Sequence, residues 1–165
     1  MGKLPSTEGK GLSGFRSRGG LWVVAQILIL AAAVVSGWWW PGRDAESETV
    51  RSGGWLLLVV GGGVALSGII QLKGRITPFP APLRDSTLVT RGIYRYVRHP
   101  LYSALICACF GWGLIRFSLP ALLLAVLLVP VLAYKARREE CFLTDRFPEY
   151  ADYQRRTAAF IPWLF

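Results

Sequence analysis

Two short stretches of this 165-residue chain gather side chains that can hold and polarise a small charged molecule. The first is Tyr94-Arg95-Tyr96-Val97-Arg98-His99-Pro100-Leu101-Tyr102. The second is Arg137-Arg138-Glu139-Glu140. Each flanks an apolar run, Pro100 to Ile115 in one case and Pro120 to Tyr134 in the other. Arg116 to Leu119 reads as a tight turn, so the two runs form an antiparallel helical hairpin that brings its flanks together. The mouth of such a hairpin holds cationic, anionic and aromatic groups at once. Pro100 suits the first turn of a helix. The helix start adds partial positive charge and free N–H groups, which favour a carboxylate or a phosphate. The glutamates favour an ammonium or a ribose. Tyrosine faces favour an adenine ring or a sulfonium cation.

Each group also has a plainer use. Arg91, Arg95 and Arg98 can serve as charges beside lipid headgroups. His99 can act as a simple helix cap. It is the only histidine, so a multi-histidine metal site is excluded and no metal is expected. Glu139 or Glu140 can pair with Lys135, Arg137 or Arg138 on a solvated helix. One of the two is expected to do so, since adjacent helix positions point about 100° apart. Tyr150 and Tyr153 can anchor a terminal helix at an interface. Three cysteines support neither a disulfide framework nor a zinc site. Cys107 and Cys109 read as small buried hydrophobes, and Cys141 follows the glutamate pair.

The elements that must carry these groups are membrane helices. Hydrophobic residues make up 53% of the chain and its mean hydropathy is +0.39. The net charge of +9 would point to nucleic acid in a soluble protein. Here every basic stretch adjoins an apolar block, so nucleic-acid binding is set aside and anionic lipid is the expected neighbour. Residues 1–20 read as a disordered basic tail, and residues 21–165 as one domain. Leu21 to Trp40 is long enough to span a bilayer and is expected to stay as an anchor. Pro41 to Gly53 reads as a short loop. Gly54 to Leu72 is a second span, in which Gly61, Gly62, Gly63, Ala65, Ser67 and Gly68 allow close helix packing. Lys73 to His99 is a loop, with Pro78, Pro80 and Pro82 excluding a regular helix. Pro130 is expected to kink the second hairpin arm. Beyond Lys135 the pattern predicts a continued helix and a short amphipathic one, broken near Pro148, then an apolar close from Ile161 to Phe165. The expected fold is all-α and integral to the membrane, with about four transmembrane helices, a C-terminal helical hairpin and a cytoplasmic cofactor pocket. Four spans put 16 of the 19 lysines and arginines on one side, which places both termini in the cytoplasm. A bacterial inner membrane is the expected location.

Together the motifs resemble the isoprenylcysteine carboxyl methyltransferase family, which includes phospholipid N-methyltransferase relatives. The resemblance lies in TPFPAPLRDSTLVTRGIYRYVRHPLY, from Thr77 to Tyr102, and EECFLTDRFPEYADYQRRTAAFIP, from Glu139 to Pro162. Ile93 stands where the family usually has proline. The resemblance implies S-adenosylmethionine as methyl donor and a lipidic or membrane-partitioned acceptor entering from the bilayer. Carried over, it assigns Arg98 and His99 to the methionine end of the donor, with Tyr94 and Tyr102 lining the pocket. Glu139 or Glu140 would bind the amino group or ribose, and Tyr153 would help the C-terminal segment close over the cofactor. As catalytic groups, Arg137 would steer an anionic acceptor and Glu140 would act as base. Methyl transfer needs alignment and desolvation more than acid–base chemistry.

Two other readings compete. The chain ends Pro162-Trp163-Leu164-Phe165, which resembles the close of the sterol reductases, membrane enzymes that use NADPH. A non-enzymatic membrane scaffold is the third reading. A transporter is disfavoured, because Leu21 to Trp40, Gly54 to Leu72 and Pro120 to Tyr134 contain no charged residue.

Overall fold

The computed structural model describes residues 19–42, 47–72 and 88–162. Nearly all of the expected basic tail, the segment bearing Pro78, Pro80 and Pro82, and the closing residues Trp163 to Phe165 lie outside them. The described elements, in chain order, are α1 (Gly20–Trp39), α2 (Glu48–Leu72), a 3-10 turn (Gly92–Arg95), α3 (Pro100–Ile115), α4 (Leu119–Arg146) and α5 (Tyr150–Arg156). Among the described residues the fold is all-helical. Its extended pairing is a single parallel bridge between Val97 and Ala158.

Three helices, α1, α2 and α4, are long and apolar enough to cross a membrane. α3 is apolar but has 16 residues. That length rises about 24 Å, against roughly 30 Å of hydrocarbon in a bilayer. The expectation of about four spans therefore meets three helices of full length and one short arm. The outward faces carry exposed large apolar residues, among them Leu28, Val59, Leu66 and Leu123. Such continuous apolar surface fits lipid and not water.

α2 begins six residues earlier than the apolar run predicts. Ser47 explains the start: its hydroxyl accepts from Val50 N–H at 3.4 Å, as an N-cap does. Glu48 then adds negative charge to the first turn. α2 packs most extensively on α3, and glycine sets the distance. Gly54, Gly61 and Gly68, spaced by seven, are the buried residues of α2. A Cβ at Gly54 would stand 2.8 Å from the Gly111 carbonyl oxygen, and one at Gly61 would stand 3.2 Å from that of Ala104. Gly62 and Gly63 face open space, so of the expected small-residue set only part makes the seam.

α1 packs on α4. Ala33, Ala125, Leu128 and Leu132 meet Cys109 of α3 in the buried core. The turn between α3 and α4 closes the far end of α1. Arg116 Nε donates to Gly37 O at 2.9 Å and Ser118 Oγ to Ser36 O at 3.3 Å, which serves carbonyls that the end of a helix leaves unpaired. Ser118 also caps α4, accepting from Ala121 N–H. α4 continues through Pro130 to Arg146 as one helix. The predicted break near Pro148 is present, between α4 and α5.

Candidate functional site

α4 outruns its apolar stretch by about three turns, and the hairpin geometry sets that polar extension beside the start of α3. His99 is the residue before α3, and Tyr102 lies in its first turn. Their rings stack, with centroids 5.3 Å apart and planes 5° apart. From this platform both groups reach the glutamates of α4. His99 Nε2 lies 3.0 Å from Glu140 Oε1. Tyr102 OH donates to Glu139 Oε2 at 3.0 Å. His99 Nδ1 stands 3.7 Å from the same Glu139 oxygen.

The two carboxylates live in different settings. Arg98 Nε donates to Glu140 Oε1 at 2.7 Å, and Gln154 Nε2 donates to Glu140 Oε2 at 2.8 Å. Both oxygens of Glu140 are thus engaged. The Arg98 and Glu140 side chains are 10% and 11% exposed. Glu139 is 29% exposed in its side chain, and Tyr102 engages only its Oε2. The expectation that one glutamate pairs with a cation of its own helix is not met. Among the described residues both turn to the first arm, because α3 offers donors at the depth where α4 leaves the core. Arg137 is exposed and stands outside this network.

The C-terminal segment straps the mouth. Arg98 N–H donates to Ala158 O at 2.9 Å, and His99 N–H donates to Ala159 O at 3.0 Å. The Arg98 guanidinium also donates to the carbonyls of Gln154 and Thr157. Ser103 Oγ donates to Phe160 O at 2.7 Å. Tyr153 OH donates to Tyr94 O at 2.6 Å, tying α5 to the 3-10 turn. Burial pushes the Tyr153 phenol up to about 12, against the lowering pull of Arg98. Burial also raises Tyr94 and Tyr150 well above the ordinary phenol value. The charge of Glu139 adds to the shift of Tyr94, and that of Glu140 to the shift of Tyr150. Tyr150 is 1% exposed, yet its hydroxyl has no hydrogen-bond partner among the described residues.

The structure thus gathers Tyr94, Arg98, His99, Tyr102, Glu139, Glu140 and Tyr153 and leaves Arg137 at the surface. Sequence reasoning missed Gln154, Thr157, Ser103 and the hydroxyl of Tyr150. Gln154 was findable, since it lies four residues after Tyr150 and so shares its face of α5. The backbone acceptors of the strap have no sequence signal.

The chain is similar to the cobalt-zinc-cadmium resistance protein CzcN of Cupriavidus metallidurans, at 34% identity over 152 residues. It is also similar to the nickel-cobalt-cadmium resistance protein NccN of Alcaligenes xylosoxydans xylosoxydans, at 38% identity over 82 residues. The two matches cover 90% and 49% of this chain, and 65% and 38% of the respective relatives. This chain therefore spans less than two thirds of either relative. A family model described as phospholipid methyltransferase matches residues 50–150, a region that holds both polar motifs and the hairpin between them. On that match, the chain belongs to the phospholipid methyltransferase family.

Proposed function

We propose that this protein is an integral membrane methyltransferase that uses S-adenosylmethionine and modifies a lipidic or membrane-partitioned acceptor. Family membership supports the reaction class, and methyltransferases of this family generally use that donor. In this reading α3 is the fourth, short span of a single domain over residues 21–165. The basic end and both termini face the cytoplasm, at the inner membrane of a bacterium. The relatives' names concern metal resistance, and we propose that setting as the place to seek the acceptor. Among the described residues no group of three or more His, Cys, Asp or Glu could hold a metal ion.

The observation that carries the reading is the split between the glutamates. Glu140 is consumed by Arg98, His99 and Gln154. Glu139 keeps an oxygen that none of the described residues engages, beside Tyr102. The donor set fits the cofactor: an open carboxylate for its ammonium, tyrosine rings for its adenine or sulfonium, and the orphaned Tyr150 hydroxyl as a further polar contact. When bound, the cofactor supplies an electrophilic methyl group on sulfur. Glu139, Tyr94 and Tyr102 bind and orient it. Arg98, Glu140 and Tyr153 hold the strap that excludes water, and His99 fixes the Glu140 carboxylate. Arg137, at the surface, steers an anionic acceptor. Alignment and water exclusion are the main contributions such a site makes to an in-line displacement.

The test is calorimetric titration of the detergent-purified protein with S-adenosylhomocysteine and, separately, NADPH. Binding of the first and not the second is expected. Glu139→Gln should weaken it by about tenfold or more, roughly 1.4 kcal/mol, without a change in melting temperature. NADPH binding alone, or undiminished affinity in Glu139→Gln, would overturn the reading.

A further inference from the structure

The end of the bundle opposite the polar site gathers the last turn of α1, the start of α2 and the turn between α3 and α4. With four spans, three of the 19 lysines and arginines fall at this end, Arg43, Arg51 and Arg116, and cations are selected against on this side. Arg43 lies outside the described residues. The other two are both seated on aromatic rings. The Arg116 guanidinium carbon stands 5.7 Å from the ring centroids of Trp38 and of Trp112. That of Arg51 stands 5.7 Å from the Phe117 centroid. A ring face holds a guanidinium by its plane, and the N–H edge remains for an acceptor. Arg116 spends Nε on the Gly37 carbonyl, and the ion pairs among the described residues leave it out. Arg51 has Glu48 at 3.8 Å, a loose pair with the Glu48 side chain 83% exposed. Phe117 has φ 50°, the one left-handed residue other than glycine among those described. A ring-bearing side chain is costly in that conformation and glycine is not. The turn alone therefore does not account for Phe117, and its ring is what Arg51 rests on. Trp38, Trp39, Trp40 and Trp55, all more than half exposed, set this level at the headgroup layer.

We propose that Arg51 and Arg116 form a phosphate site for an anionic phospholipid of the leaflet opposite the polar site, with Trp38, Trp112 and Phe117 as the seats of the two guanidiniums. The phosphodiester is the anion that a bilayer presents at this depth, and guanidinium edges match its oxygens two at a time. A net-negative headgroup complements the local charge, which among the described residues is two arginines against Glu48. The lipid bridges α2 and the hairpin turn. α1 is held to the same turn, since Gly42 N–H donates to the Arg116 carbonyl at 3.1 Å. This site is independent of what the polar end binds, so the methyltransferase reading stands or falls without it.

The experiment titrates phosphatidylglycerol, and separately phosphatidylcholine, into the delipidated full chain in a neutral detergent, with bound lipid counted by native mass spectrometry. The tightest site should prefer phosphatidylglycerol. Arg116→Gln and Arg51→Gln should each weaken it by about tenfold, the size of one charge-assisted hydrogen bond. Arg51→Gln leaves the tie to Gly37 intact, so it carries the test even if Arg116→Gln fails to fold. Phe117→Gly relieves the left-handed strain and removes the seat of Arg51, so it should melt no lower than the parent and yet hold the lipid less tightly. Arg95→Gln, an exposed cation of the polar end, should leave the tightest lipid in place. Loss in Arg95→Gln with none in Arg51→Gln would overturn the proposal and put the bound lipid at the polar end. Affinity unchanged in every variant would overturn it too, and leave this end as an ordinary aromatic belt. Displacement of the lipid by millimolar inorganic phosphate would overturn the choice of a lipid as the source of the anion.

Discussion

The two long seams of the bundle are closed by opposite means. α2 meets α3 through absence: Gly54, Gly61 and Gly68 remove side chains so that backbones touch. The start of α3 meets the polar end of α4 through presence: a guanidinium, an imidazole, a phenol and two carboxylates fill the gap. In lipid the first kind of contact works because close packing supplies dispersion where no hydrophobic force acts between helices. The second kind is stable only while every buried charge keeps its partner. One seam is tolerant of chemistry and intolerant of volume, and the other is the reverse.

The largest expected effect breaks the charged seam. Arg98→Ala leaves Glu140 buried beside His99 and Gln154 without its guanidinium, and removes the anchor of the strap at Gln154 and Thr157. It should cost about 3–5 kcal/mol of unfolding free energy in detergent. The double variant Arg98→Met/Glu140→Leu should cost clearly less, since no charge is stranded. Equal losses in both would mean that packing, and not charge pairing, holds this end.

The glycine seam should respond to volume next. Gly54→Leu pushes a side chain onto the Gly111 carbonyl oxygen, a backbone atom that cannot rotate away. A loss of about 1–3 kcal/mol is expected by the same unfolding assay. Gly62→Leu, with nothing within 4 Å of its Cβ position, should stay within about 0.5 kcal/mol. If the two variants behave alike, the helix faces are not as described.

That contrast also shows what the sequence could reveal. The site was legible because its residues cluster in two stretches whose apolar neighbours force a hairpin. The hairpin, the break near Pro148 and the gathering of Tyr94 to Tyr102 with Glu139 and Glu140 all follow from periodicity and proline. The start of α2 was missed because Ser47, a capping hydroxyl, outweighed the run of polar residues that looked like loop. Which glycines face α3 was hidden, since Gly61, Gly62 and Gly63 are equivalent by type and differ only in helix phase. The division of labour between Glu139 and Glu140 was hidden too. It depends on Gln154 and on backbone carbonyls that reach the site from the strap. The pairing of Gln26 with Lys135 spans 109 positions, a separation that periodicity cannot read.

The smallest effect probes the strap from the side of pH. Tyr153 is raised from the ordinary 10.0 to about 12 by burial, and its hydroxyl donates to the Tyr94 carbonyl. A phenolate cannot donate, so ionisation breaks that tie. Because the folded value is the higher one, the contribution is complete below pH about 10. It is lost as pH rises through about 12. The unfolding free energy should therefore fall across that window, in part through Tyr153. Tyr153→Phe removes both the hydrogen bond and the titration. It should lower stability modestly at neutral pH, by about 0.5–1.5 kcal/mol, and should flatten the alkaline slope by one group. Spectrophotometric titration of the phenols should at the same time lose one late-ionising tyrosine. A slope as steep in Tyr153→Phe as in the parent would mean that the strap is held without the Tyr153 tie, by Arg98, His99 N–H, Ser103 and the Val97–Ala158 bridge. The charged seam would then extend unaided from α4 to the last described residues of the chain.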